Sequence, residues 1–246
     1  MGHLRTARGA RKVRRGKEVN NEHPGSAQWP IHVKHVRICN ELAIMADMST
    51  SERAAYERCL DFFREPFLSN IAVSGPSIIE LTMEQVMYLI DVGLFVRMPE
   101  DTVQGLRIHI FLVPEPHKER YRLIVHTIDI NNATDDPGGP VDFTPLQDLI
   151  ERILRERPVA YQNDVKSCYH QFPISPHLRK YYAFYVNGIG WISLATIATG
   201  QRQCVSRAQQ VGRFLRRRVE ARCKIPSHAL DVYVDNYLGT RTPPFS

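Results

Sequence analysis

The stretch VAYQNDVKSCYHQFPISPHLRKYYAFYVNGIGWISL, residues 159–194, decides the fold class. Its first six residues read as a strand ending on Asp164, and its last fourteen alternate around Asn187 and Gly188, the strongest short-range hairpin signal. Upstream, Thr144, Pro145 and Gln147 supply an N-cap, a first-turn proline and a capping-box partner. The helix they open carries Leu146, Leu149, Ile150, Ile153 and Leu154 as one apolar stripe and stops at Pro158. Downstream, Ala208, Val211, Leu215 and Val219 recur at helical spacing, and HALDVYVDNYLGT, residues 228–240, reads as a second hairpin with Asp235 and Asn236 at its tip. Helix, strand, hairpin, helix and hairpin in that order predict an α+β fold around an antiparallel sheet with helices on one face.

Further upstream, STSERAAYERCLDFF from residue 49 predicts a helix opened by Ser49, Thr50 or Ser51. In LTMEQVMYLIDVG, Thr82 with Gln85 forms a capping-box pattern and Gly93 closes a helix over 83–92. LRIHIFLVPEP and RYRLIVHTIDI, residues 106–116 and 120–130, predict two strands joined by a charged turn with Lys118, Arg120 and Arg122. TDDPGGPVDF is a loop, and residues 1–30 are a tail and linker.

Of 246 residues, 43% are hydrophobic and 24% charged, which excludes a chain disordered throughout. The apolar run LIDVGLFV is far too short to span a bilayer, and no N-terminal segment resembles a signal peptide. Five cysteines without a C-x-x-C pair suggest neither a zinc site nor a disulfide framework. The expectation is an intracellular chain, nuclear or cytoplasmic, without a membrane partner. Basic residues number 32 against 26 acids, and the excess sits in Arg5, Arg8, Arg11, Lys12, Arg14, Arg15 and Lys17. Such an arm suits phosphate backbone, nuclear import or simple solvation. A second basic concentration at 202–224 includes Arg213, Arg216 and Arg217, either a soluble helix face or a groove for a nucleic-acid strand.

Each of Asp164 and Asp235 alone is an ordinary strand-end residue. Brought together at ~4 Å, the two carboxylates would repel by about 4 kcal/mol at an effective dielectric near 20. A cation or a shared proton makes the arrangement cheap, and hard oxygen ligands favour Mg²⁺ or Mn²⁺.

RYRLIVHTIDIN, AYQNDVKSCYHQFPISPHLRKYYAF, ATGQRQCVSRAQQ and YVDN resemble, in order and spacing, the fingers, A, B and C motifs of reverse transcriptases. The resemblance covers roughly residues 75–240 and is nearest to the DIRS-like or VIPER-like retroelements. It implies fingers over 31–145, a palm over 146–246, and template-directed addition of deoxynucleotides from deoxynucleoside triphosphates to a primer 3′-hydroxyl on RNA or DNA by two-metal phosphoryl transfer, with two divalent ions on Asp164 and Asp235. Asp164 and Asp235 match the catalytic metal ligands, with the Val165 backbone and the Asn236 oxygen completing the metal set. Tyr169 matches the aromatic that crowds the sugar 2′ position; Lys118, Arg120 and Arg122 match the cations that grip the triphosphate. Gly200 and Gln201 match the bend that shapes the nucleotide pocket.

The departures are Ala198 and Val205 where prolines are usual, His126 where many relatives have an acid, and Asn236 in place of a second aspartate. The match ends about ten residues before Ser246, so the expectation is a chain truncated ahead of thumb and RNase H. Three readings stay open: a polymerase domain, an inactive retroelement remnant that at most binds nucleic acid, and a small metal-dependent nuclease or cyclase. The last leaves the fingers motif unexplained.

Overall fold

The computed structural model describes residues 29–33, 38–64, 75–133, 143–156, 159–165, 167–226 and 229–241. The basic tail and all of the loop at 134–143 except Phe143 lie outside them. The chain is α+β, and among the described residues the strands form three three-stranded sheets where the sequence suggests one.

The site sheet orders β5 (Val159–Asp164), β9 (Asn236–Arg241) and β8 (Leu230–Tyr233), all antiparallel. A second sheet joins β2 (Phe95–Arg97) to the hairpin of β6 (Ala183–Val186) and β7 (Gly190–Leu194). Its turn is a three-residue loop, 187–189, with Gly188 at φ 79°. The third pairs β1 (Ile78–Ile79) in parallel with β3 (His109–Glu115), whose other edge is β4 (Arg120–His126).

Among the helices are α1 (Glu41–Asp47), α2 (Thr50–Arg64) and α3 (Met83–Asp91), the last with both halves of the Thr82–Gln85 capping box in place. The strand expected to continue through residue 130 ends at His126, and Ile128–Ala133 forms α4 instead. Ile130 and Ala133, three apart, turn inward while the Asn131 amide donates to the Thr127 carbonyl; local helical burial outweighs the β-branched composition. Next come α5 (Leu146–Glu156) and the 20-residue α6 (Cys204–Cys223).

The core joins Tyr56 and Leu60 of α2, Val86 and Leu89 of α3, Ile110, Val125, Phe184 and Ile192 of the sheets, and Ala208, Val211 and Phe214 of α6. Contacts cross residue 145, since β2 pairs with β7 and α2 packs on α6. Two apolar stripes behave differently from expectation. On α6, Ala208 and Val211 are buried, but Leu215 and Val219, on the same face two turns later, are exposed, although Glu220 beyond them is buried. On α5, Ile150 and Leu154 face solvent. No helix among the described residues is long and apolar enough to cross a membrane.

Candidate active site

Register builds the site. Asp164, the last residue of β5, lies opposite Asn236, the first of β9, and Asn236 lies opposite Tyr233 across the hairpin. The turn is therefore Val234–Asp235, one residue earlier than the Asp235–Asn236 tip that the sequence suggests. The Val165 amide donates to the Asp235 carbonyl at 2.7 Å, which extends the ladder past Asp164 and seats both aspartates at one end of the sheet.

Val234 has φ 58°, a left-handed conformation costly for a β-branched residue. The buried side chain of Gln209 holds it. Its Nε2 donates to the Val232 carbonyl at 3.1 Å, and its Oε1 accepts from the Val234 amide at 2.6 Å. Gly212, one turn further along α6, makes the approach possible, because a Cβ there would meet Val232 at 2.8 Å. A buried glutamine facing a hairpin turn has no sequence signature, so Gln209 is a site residue that sequence reading misses.

The Asp235 carboxyl is held above its ordinary range, first by burial and then by the charge of Asp164; hydrogen bonds from its own amide and from Asn236 oppose the rise. Asn236 Nδ2 donates to Asp235 Oδ1 at 2.9 Å, and Asn236 Oδ1 accepts from Gln162 Nε2 at 2.5 Å. Cys168 lies in the same field: burial pushes its thiol up to about 12, with Asp235 and Asp164 adding to the rise. Burial and the charges of Cys204 and Asp235 likewise raise the half-buried Tyr169 phenol, so this residue too sits beside the site.

No group of three or more His, Cys, Asp or Glu that could hold a metal occurs among the described residues. Among the described acids, histidines and cysteines, a cation here would rest on Asp164 and Asp235. The two fit one: both are hard oxygen donors, they repel each other, and among the described residues neither pairs with a lysine or arginine.

The predicted nucleotide-pocket residues divide. Gly200 abuts β4, since a Cβ there would lie 2.5 Å from the Val125 carbonyl oxygen. Asn131 clasps the same loop, donating to the Gly200 carbonyl at 2.8 Å and accepting from the Arg202 amide at 3.0 Å. Gln201 is buried; its Oε1 accepts from the Ala198 amide at 3.1 Å, so it braces the loop from inside. Lys118 lies in the short turn joining β3 to β4, and Arg120 and Arg122 both grip Glu115 at 2.5 Å.

Most of the basic face of α6 is met within the chain. Arg217 pairs with Glu52, Arg218 with Asp47 at 3.0 Å, and Arg216 with Glu220 at 3.5 Å and Asp231 at 3.9 Å. Arg213, Arg216 and Arg217 line one cavity of about 370 Å³ with Ser51, Glu52 and Thr144. Arg207, part of the same basic run, is buried against Glu41, Tyr56 and the Phe172 ring. Most of the acids that answer these arginines lie far away in sequence, 166 residues for Arg207 and Glu41, which hides the pairing from sequence reading.

No protein-family model and no curated protein sequence matches the chain. Among solved structures it is similar to the foamy viral protease-reverse transcriptase in complex with dsDNA, at TM-score 0.48 and 14% identity over 85% of this chain and 47% of that one. It is also similar to that protein in complex with RNA/DNA hybrid, at TM-score 0.48, 14% identity, and 85% and 30% coverage. The native Prototype Foamy Virus Protease-Reverse Transcriptase gives 0.46, 13%, 86% and 30%. The chain spans less than half the length of each of these structures.

Proposed function

We propose that the chain is a reverse transcriptase-like fingers-and-palm domain, with fingers over 31–145 and palm over 146–246, that extends a primer by adding deoxynucleotides under template direction. The observation that carries the reading is the strand register: Asp164 and Asp235, far apart in sequence and unpaired with any described cation, meet at one sheet end beside Tyr169. The motif order supports it, and so does the glycine loop at 200 packed against the strand that carries Arg122.

Asp164 and Asp235 would hold Mg²⁺ or Mn²⁺, with the Val165 carbonyl a further donor. Bound there, divalent ions would neutralise phosphate charge and make the primer hydroxyl a better nucleophile. Tyr169 would bound the sugar 2′ position. Arg122, more than half exposed, and Lys118 would take the triphosphate, while Arg120, half-buried against Glu115 and His32, would orient the hairpin. Template and primer would lie across the same end of the site sheet.

The test is extension of a primer on an RNA template with deoxynucleoside triphosphates and Mn²⁺ or Mg²⁺. Extension that disappears in Asp164→Ala is expected, and extension that survives it contradicts the assignment. Binding of primed template without extension by the unsubstituted chain would favour the remnant reading over the enzyme.

A further inference from the structure

Resting on the metal-site reading above, we infer that Asn236, itself set by Gln162, is a positioning residue for Asp235 and not a ligand. The reasoning starts from hydrogen-bond polarity. An ionised Asp235 can only accept, so the amide of Asn236 must turn its NH₂ toward Asp235 Oδ1, as it does at 2.9 Å. The amide oxygen then faces the other way, where Gln162 Nε2 donates to it at 2.5 Å.

Gln162 stands on β5 two residues before Asp164, on the same face of the strand, and its Cα partner is Leu238, two residues after Asn236. Gln162 and Asn236 are thus diagonal neighbours across the two strands, within reach of each other's side chains. The chain Gln162, Asn236, Asp235 fixes one carboxylate oxygen and leaves Oδ2 of Asp235 and the carboxylate of Asp164 for a cation. Mg²⁺ and Mn²⁺ commonly take one or two protein carboxylates and complete the shell with water and substrate oxygens, so these donors serve without an oxygen from Asn236.

The probe is Mn²⁺, titrated into the intact chain and followed by electron paramagnetic resonance, with melting curves to show that each variant folds. The unsubstituted chain should bind Mn²⁺ at this site. Gln162→Ala, on an exposed side chain, should weaken that binding about tenfold, as losing a partner behind a metal ligand does. Asn236→Ala should weaken it as much, and the double variant no further, because the two residues act in series.

If Asn236 were a ligand, Gln162→Ala would free its oxygen and leave binding equal or tighter; that sign or additive losses would overturn the inference. Mn²⁺ binding indifferent to both Asp164→Ala and Asp235→Ala would instead remove the metal site itself.

Discussion

Glu115 and Asp235 are both acids close to a hairpin turn, and the chain treats them in opposite ways. At the β3–β4 hairpin, burial of Glu115 is outweighed by a hydrogen bond from Arg120 and by the charges of Arg122, Arg120 and Lys118, so its carboxyl stays below the ordinary range. At the β8–β9 hairpin, burial and Asp164 both push Asp235 up, and only an amide and its own backbone oppose them. One carboxylate is neutralised from within. The other is left with charge that something outside the chain can answer, which is what marks the end of the β5–β9 ladder as a site rather than a brace.

The strongest way to break the comparison is to remove compensation where it is most buried. Arg207→Met leaves Glu41 facing Tyr56 without its cation and should lower stability by about 3–5 kcal/mol in urea unfolding. His170 offers the opposite case, a largely but not fully buried base whose pKa burial depresses to about 4 despite a backbone hydrogen bond at Ile197. The unfolded chain, with an ordinary value of 6.5, then binds the proton more readily than the folded one. Its contribution is therefore complete above pH 6.5 and lost as pH falls toward 4, a loss of about 3 kcal/mol. Replacing it with phenylalanine should flatten that part of a pH series of melts.

Gln209→Ala should cost about 2–3 kcal/mol, because the Val232 carbonyl and the Val234 amide lose their partner in a buried turn. Urea melts measure the loss, and amide exchange at Val234 should rise with it. The finest contrast pairs Glu115→Gln with Asp164→Asn. Removing the compensated charge should destabilise by up to about 1 kcal/mol, whereas removing Asp164 should stabilise by a few tenths in metal-free buffer, since it relieves repulsion on Asp235. Equal signs for the two would dissolve the distinction.

Local rules made part of this legible in advance. The Thr82–Gln85 box, the strand ending on Asp164 and the Asn187–Gly188 hairpin all depend on neighbours within four residues, and each is where the sequence puts it. The convergence of Asp164 and Asp235 was legible through motif order, although the turn itself is Val234–Asp235. That shift is decided by Gln209 and Gly212 on a helix more than 20 residues away, which hold a valine where turn statistics favour asparagine, aspartate or glycine. The fate of the basic helix was illegible for the same reason, because Glu41, Asp47 and Glu52 meet its arginines only after α1 and α2 pack against it. Composition shows that charge is present, and only packing shows whether it is answered.

The central claim is that Asp164 and Asp235 form an uncompensated pair that a divalent cation relieves. Melting temperatures of the unsubstituted chain and of Asp164→Asn, each with and without saturating Mn²⁺, test it most directly. Without metal the variant should melt higher. With Mn²⁺ the unsubstituted chain should rise and the variant should not, reversing their order. An equal rise in both, or no rise in either, would contradict the account.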